Sequence, residues 1–179
     1  MARMRYFANE LADFFPGNRV IIDQELWKQK VYQVTKSIAS HFAPTFDNCD
    51  GGLYVGCAGV AYMYYYLAQS PKLGDFRQEF LTKARNYVDV SLSYAMSKRH
   101  RDPPAAFLLG SGGAYAVASL LYSAIGEKKN CDEMNKKYLA LAALCQPVNY
   151  LDCGSDELFV GRAGYLAGAY LLNRAFGEV

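Results

Sequence analysis

Three segments of this chain repeat one short pattern, and no other feature narrows its possible folds as far. Leu53-Tyr54-Val55-Gly56-Cys57-Ala58-Gly59, Phe107-Leu108-Leu109-Gly110-Ser111-Gly112-Gly113 and Leu158-Phe159-Val160-Gly161-Arg162-Ala163-Gly164 each set an apolar triplet before a glycine, a variable residue, a small residue and a second glycine. An apolar run follows each time. The leading glycines Gly56, Gly110 and Gly161 are spaced 54 and 51 residues apart, which is room for two helices and two connections per unit. A unit of that length buries its apolar face only by stacking on a neighbour, so the pattern specifies an array of helical hairpins.

The stretches around the motifs divide into two kinds of helix. Trp27, Val31, Val34, Ile38 and Phe42 recur at three- and four-residue steps, as do Phe76, Phe80, Ala84, Tyr87, Ser91 and Ala95, and again Met134, Tyr138, Leu141 and Cys145. One-sided patterns of this sort belong to outer helices. The runs after the motifs, 57–69, 111–125 and 162–176, are apolar nearly all round and are expected to form an inner layer. Asp75 with Gln78 three residues on has the form of a capping box, and Gly126 is placed to end the second inner helix. The first glycine of each motif (Gly56, Gly110, Gly161) is expected to turn the chain with a positive φ, and the second (Gly59, Gly113, Gly164) to let inner helices approach closely. Because all inner helices start after the same kind of loop, their amino termini should gather at one mouth, with free N–H groups and positive dipole ends directed into it. The expected class is all-α, an α/α array.

Composition removes several alternatives. At 179 residues and 52% apolar the chain can bury a sizeable core, and one domain spanning 1–179 is expected. Nineteen basic against seventeen acidic residues leave a charge of +2, too balanced to indicate nucleic acid. The basic clusters Lys98-Arg99-His100-Arg101 and Lys136-Lys137 are read as solvated faces. The longest apolar stretch, Leu53 to Ala68, contains two glycines and five tyrosines and is shorter than the roughly 20 residues a membrane span needs. The start of the chain has no signal-peptide core, so a cytoplasmic location is expected. Cys49, Cys57, Cys131, Cys145 and Cys153 form an odd set without Cys-x-x-Cys spacing, and His41 and His100 stand far apart. Reduced packing or surface thiols are expected, with no metal ligands assigned within this chain.

The second motif invites comparison with a dinucleotide loop, since Phe107 to Gly113 could lead a strand into Gly-x-Gly. Tyr115 occupies the place of the third glycine, however, and the sister motifs lack the central one.

On the segments Gly51 to Met63, Ala106 to Ala118 and above all Cys153 to Leu166, the chain resembles the eukaryotic LanC-like (lanthionine synthetase C-like) protein family. The opening Arg5-Tyr6-Phe7-Ala8-Asn9, with Asp13 following, is similar to that family's start. The resemblance implies an α/α toroid of six or seven hairpins, here an incomplete arc of about three forming the amino-terminal part of a longer domain. It also implies zinc, held by two cysteines and a histidine in a part of the family's sequence that has no counterpart here, so that none of it is bound by this segment. Glutathione is implied as co-substrate, and phosphorylated or dehydrated proteins and peptides as partners.

The implied reaction adds a zinc-bound thiolate to the alkene of a dehydroalanine or dehydrobutyrine residue. It needs cationic groups for phosphate and an acid or base near the α-carbon. Arg5 matches the family's early arginine and is the candidate phosphate contact, with an exposed tail residue as the plain alternative. Arg162 starts an inner helix, where a cation opposes the dipole unless an anion compensates it; it either contacts a substrate anion or pairs with Asp156 or Glu157. Glu157 is the candidate acid or base, the alternative being a role at the helix amino terminus. Asp50 is expected to shape the loop before Gly51. The segment alone is expected to be inactive. Two other functions stay in view: a non-catalytic scaffold binding glutathione or a protein, and, on fold alone, a glycosidase with paired carboxylates.

Overall fold

The computed structural model describes residues 8–11, 13, 15–17, 21–50, 52–97 and 103–177. They form α1 (Gln24–His41), the short α2 (Gly52–Val55), α3 (Cys57–Ala68), α4 (Arg77–Ala95), α5 (Ser111–Ala124), α6 (Lys128–Ala140) and α7 (Arg162–Phe176), with 3-10 turns at Phe46–Asn48, Pro71–Phe76 and Leu141–Cys145. Among the described residues there is no strand: Leu53 lies in α2, and Phe107 and Leu158 lie in turns. The all-α class is what the motif spacing implied, and the inner helices α3, α5 and α7 begin where the motifs placed them. Among the described residues no helix is long and apolar enough to cross a membrane.

Inner and outer helices alternate along an arc, and α5 is its centre. Nearly every residue from Ser111 to Tyr122 is buried, whereas α7 buries only Gly164, Tyr165, Gly168 and Leu172 and leaves Leu166 and Tyr170 more than 60% exposed. Tyr66 on α3 is similarly bare. One core cluster joins α3, α4 and α5 around Tyr64, Phe80 and Val117; the other joins α5, α6 and α7 around Phe107, Tyr138 and Leu172. Each fully buried side chain of this size contributes roughly 2 to 3 kcal/mol by leaving water.

Tyrosines tie the two layers together. A buried phenol must place its hydroxyl on an acceptor. Tyr64 of α3 donates to the carbonyl of Thr35 in α1 at 2.9 Å, Tyr87 of α4 to Phe42, and Tyr138 of α6 to Tyr165 of α7 at 2.5 Å. The Tyr138 and Tyr165 rings also stack, 5.1 Å apart. Burial raises the Tyr64 hydroxyl to about 12, because the phenolate would lose its hydration.

The outer stripes on α4 and α6 are buried as expected, but α1 departs from its pattern. Val31, Thr35 and Phe42 face the core, whereas Trp27 and Val34 are more than half exposed. The Tyr64 bond to Thr35 sets the rotation of α1, and a polar residue at the centre of the contact is invisible to a hydrophobic count. The Asp75–Gln78 capping box is not formed either. The 3-10 turn Pro71–Phe76 runs straight into α4, whose cap residue Phe76 has an αR backbone, so no break exists for a side chain to cap. The side-chain cap that does form is Asp23 on α1, accepting from the N–H groups of Glu25 and Leu26 at 3.0 Å.

Gly126 ends α5 as its position suggested. Its φ is +80°, its N–H reaches the Ser123 carbonyl, and the next N–H, of Glu127, reaches back to Tyr122 at 2.8 Å, which together make a Schellman closure.

Candidate functional site

The three motif loops meet at one end of the arc, and their glycines act by size rather than by dihedral freedom. Gly56, Gly110 and Gly161 are extended caps with φ of −96°, −140° and −94°, so the expected positive φ is not found. Each is pressed instead against carbonyl groups of its own loop. A Cβ on Gly56 would lie 2.7 Å from the Cys49 and Gly52 oxygens, and one on Gly161 would lie 2.6 Å from the Glu157 oxygen.

The second glycines follow one rule. A Cβ on Gly59, Gly113 or Gly164 would collide with the carbonyl oxygen six residues earlier, of Leu53, Phe107 and Leu158 respectively. The close approach is therefore chiefly between each inner helix and its own entry turn. A weaker inter-repeat contact accompanies it: Gly113 also abuts the Leu53 Cβ, and Gly164 the Phe107 Cβ.

Consecutive loops are hydrogen-bonded as well. The Tyr54 N–H donates to Leu108 O at 2.9 Å and the Leu109 N–H to Phe159 O at 3.4 Å, so each later repeat offers the carbonyl of its second apolar residue to the repeat before it. The rings of Tyr54 and Phe159 meet edge to face at 5.3 Å, closing the mouth from the first repeat to the third. Helix-terminal N–H groups expected to be free are engaged by the loops. The Gly112 N–H donates to Pro104 O at 3.0 Å, with Ser111 Oγ on the same carbonyl, and the Arg162 N–H donates to Ser155 O at 2.7 Å. Proline at 104 and the tight turns ahead of the motifs aim these carbonyls into the helix ends.

The third loop gathers the charged candidates. Arg162 Nε pairs with Asp156 at 2.5 Å, Nη1 donates to the carbonyls of Cys145 and Pro147 at 3.0 and 2.8 Å, and Nη2 to that of Val148 at 2.9 Å. Four of its five N–H donors are thus committed to one loop, with the Tyr150 ring 5.6 Å beneath. The pairing with Asp156 is the compensation its helix-start position demanded, and it holds the Asp156 carboxyl below the usual range. Glu157 accepts from the N–H groups of Val160, Phe159 and Gly161, and these bonds, that of Val160 foremost, hold its carboxyl below the usual range too. It caps the turn ahead of α7 as an ionised acceptor. Arg5 lies outside the described residues, as do Lys98 to Arg101.

Sequence reading missed the residues that organise this loop. Ser155, buried, accepts from the N–H groups of Tyr150 and Leu151 at 3.0 and 3.2 Å, and Tyr150 donates its hydroxyl to Val160 O at 3.0 Å. Burial first, then Cys145 nearby, pushes that hydroxyl up to about 12. Their contribution is a loop conformation, and no residue periodicity announces it. Also missed was the meeting of Cys49 and Cys57, whose thiols converge on the Thr45 carbonyl.

Among the described residues no three of His, Cys, Asp and Glu come together as ligands, and the Cys49–Cys57 pair has no third donor of this kind. The donor set described here does not fit zinc.

Inner helices entering from glycine-pinned loops, backed by outer helices in a curved array, define the α/α arc class. Residues 47–179 match the family described as lanthionine synthetase C-like protein, and the chain belongs to that family. Among curated proteins it is similar to the glutathione S-transferase LANCL1 of Danio rerio, 33% identical over 133 residues, which is 73% of this chain and 29% of that relative. The chain thus spans less than a third of the length of the relative it matches.

Proposed function

We propose that this chain is part of a LanC-like protein that adds the thiol of glutathione to dehydroalanine or dehydrobutyrine residues in proteins or peptides. The observation that supports this reading is its 33% identity, over 133 residues, with a relative whose name is glutathione S-transferase LANCL1. Within the family its motifs most resemble LanC-like protein 3. In this reading zinc would supply the low-pKa thiolate, from ligands in a part of the family's sequence that has no counterpart here. The present residues build the mouth: the pinned loops set the inner helix ends, and the Asp156–Arg162–Glu157 cluster keeps the third loop in shape. Arg5 remains the proposed phosphate contact. Segment and partners would share the cytoplasm.

A dehydroalanine peptide incubated with reduced glutathione tests this. A protein extended to the full length of the relatives is expected to add one glutathione per alkene, read by mass spectrometry, and the 179-residue chain none. No addition by the extended protein, with its fold and zinc content verified, would overturn the reading.

A second reading, a non-catalytic scaffold binding glutathione or a protein, is favoured by one observation: the hydrogen-bonding capacity of Arg162 and Glu157 is largely committed to their own loop. Glu157→Gln in the extended protein separates the two. An acid or base role predicts loss of turnover at unchanged melting temperature; a loop-capping role predicts a lower melting temperature with turnover per folded molecule retained.

A further inference from the structure

Cys49 and Cys57 are eight positions apart in sequence, and nothing in their spacing marks them as partners. The fold brings them together. Cys49 sits at the end of the 3-10 turn Phe46–Asn48, and its thiol donates to the Thr45 carbonyl at 3.2 Å. Cys57 is the first residue of α3, and its thiol points at the same carbonyl, 3.8 Å away. The backbones are adjacent too, since the Cys49 carbonyl oxygen is among the atoms that bar a side chain from Gly56, the residue next to Cys57. Each thiol bears on the ionisation of the other, raising the pKa at Cys49 and lowering it at Cys57.

From this geometry we infer that Cys49 and Cys57 form a redox-reactive dithiol that closes to an intramolecular disulfide when a small peroxide reaches it.

The two sulfurs are not equivalent. Cys57 lies at a helix amino terminus, where the dipole favours a thiolate, and the neighbouring Cys49 thiol eases its ionisation, while that of Cys49 is suppressed by Cys57 and by burial. Cys57 is therefore the nucleophile and Cys49 the resolving thiol. In the first step the Cys57 thiolate attacks one oxygen of hydrogen peroxide, the O–O bond breaks, and the departing hydroxide takes up a proton to leave as water, giving a sulfenic acid. In the second, the Cys49 sulfur attacks the Cys57 sulfur, the S–O bond breaks, and the hydroxyl leaves as water with the Cys49 proton. The sum is two thiols and one hydrogen peroxide giving one disulfide and two waters.

Both thiols are buried, at 5% and 0% exposure, which bars bulky disulfides such as oxidised glutathione. A cavity about the size of one water molecule lies against Cys49, with Ala58, Ser91, Tyr94 and Ser111 also in its wall, so a small oxidant approaches the pair from the Cys49 side. The new bond would staple the turn at Phe46–Asn48 to the start of α3, fixing the first motif loop.

The test needs no variant. Residues 37–72 contain both cysteines with no lysine or arginine before Lys72, so trypsin keeps them on one peptide. The folded chain is treated with hydrogen peroxide, its free thiols are alkylated in denaturant, and the digest is weighed. Peptide 37–72 is expected to lose both alkylation sites and two hydrogen atoms in mass, reversibly with dithiothreitol, while buried Cys131 and Cys145 stay alkylated. Full alkylation of both cysteines, or their oxidation no faster than that of Cys131, would overturn the inference. Cys49→Ser adds a second arm: without its resolving partner, Cys57 is expected to accumulate as sulfenic and then sulfinic acid, and a Cys57 left unoxidised in a folded variant would equally sink it.

Discussion

Single residues in this protein are constrained more by what touches them than by their intrinsic preferences, and Gly168 shows it most plainly. A Cβ there would strike the Tyr138 hydroxyl and lie 2.5 Å from the Phe107 ring, in the middle of the α6–α7 contact. Gly168→Ala is expected to destabilise the chain by about 3 kcal/mol, the upper end for overpacking, as measured by urea unfolding. Tyr138→Phe removes one of the two obstructions and should recover part of that loss in the double variant, beyond its own cost of about 1 kcal/mol for the missing hydrogen bond. The motif glycines were legible in the sequence because they recur, but their reason was not. Gly56, Gly110 and Gly161 have ordinary extended dihedrals and are excluded from carrying a side chain by carbonyl groups packed against them. Arg162 was legible as a cation in need of compensation; that Cys145, Pro147 and Val148 would supply carbonyls depends on a loop 14 to 17 residues away folding over it.

Helices are joined in pairs by buried phenols, which makes their association sensitive to alkali. Tyr64 links α3 to α1 and Tyr138 links α6 to α7; burial raises both hydroxyls above their ordinary value of 10.0, Tyr64 to about 12. A folded pKa above the unfolded one contributes stability that is complete below pH 10 and disappears as pH climbs through the folded value. The melting temperature is expected to hold to about pH 10 and then fall steadily toward pH 12, and the fall should be shallower in Tyr64→Phe. A parallel, unshifted profile for that variant would show that the Tyr64 hydroxyl is not what the pH dependence reports. Inner helices were legible to within a residue or so, since apolar runs after a repeated motif define their own starts. α1 was legible as a helix but not in its rotation, because Thr35 takes the central buried position that a hydrophobic pattern assigns to its neighbours.

The molecule as a whole is an arc with one enclosed helix and two partly bare ones. α5 has neighbours on both sides, while α7 shows Leu166 and Tyr170 to solvent at 63% and 66% exposure. An apolar stripe of this kind on an inner helix favours association. Light scattering on the purified 179-residue chain is expected to show species heavier than the monomer, and Leu166→Glu to reduce them without altering the far-ultraviolet helix signal. A monodisperse, cooperatively melting monomer would contradict that. The family relationship carries the functional reading at this scale, because the residues that shape the mouth form a scaffold among themselves.

Local chemistry along the chain was enough to establish the helical class, the three repeats, the inner and outer assignment and the stop at Gly126, since these depend on periodicity, turn residues and recurrence within short windows. Everything that hinges on separate segments meeting was settled only by packing: the loop-to-loop hydrogen bonds from Tyr54 to Leu108 and from Leu109 to Phe159, the enclosure of Arg162 by the carbonyls of Cys145, Pro147 and Val148, and the meeting of Cys49 with Cys57. Such contacts join groups whose separation in sequence carries no period, so they exist only once the array has closed.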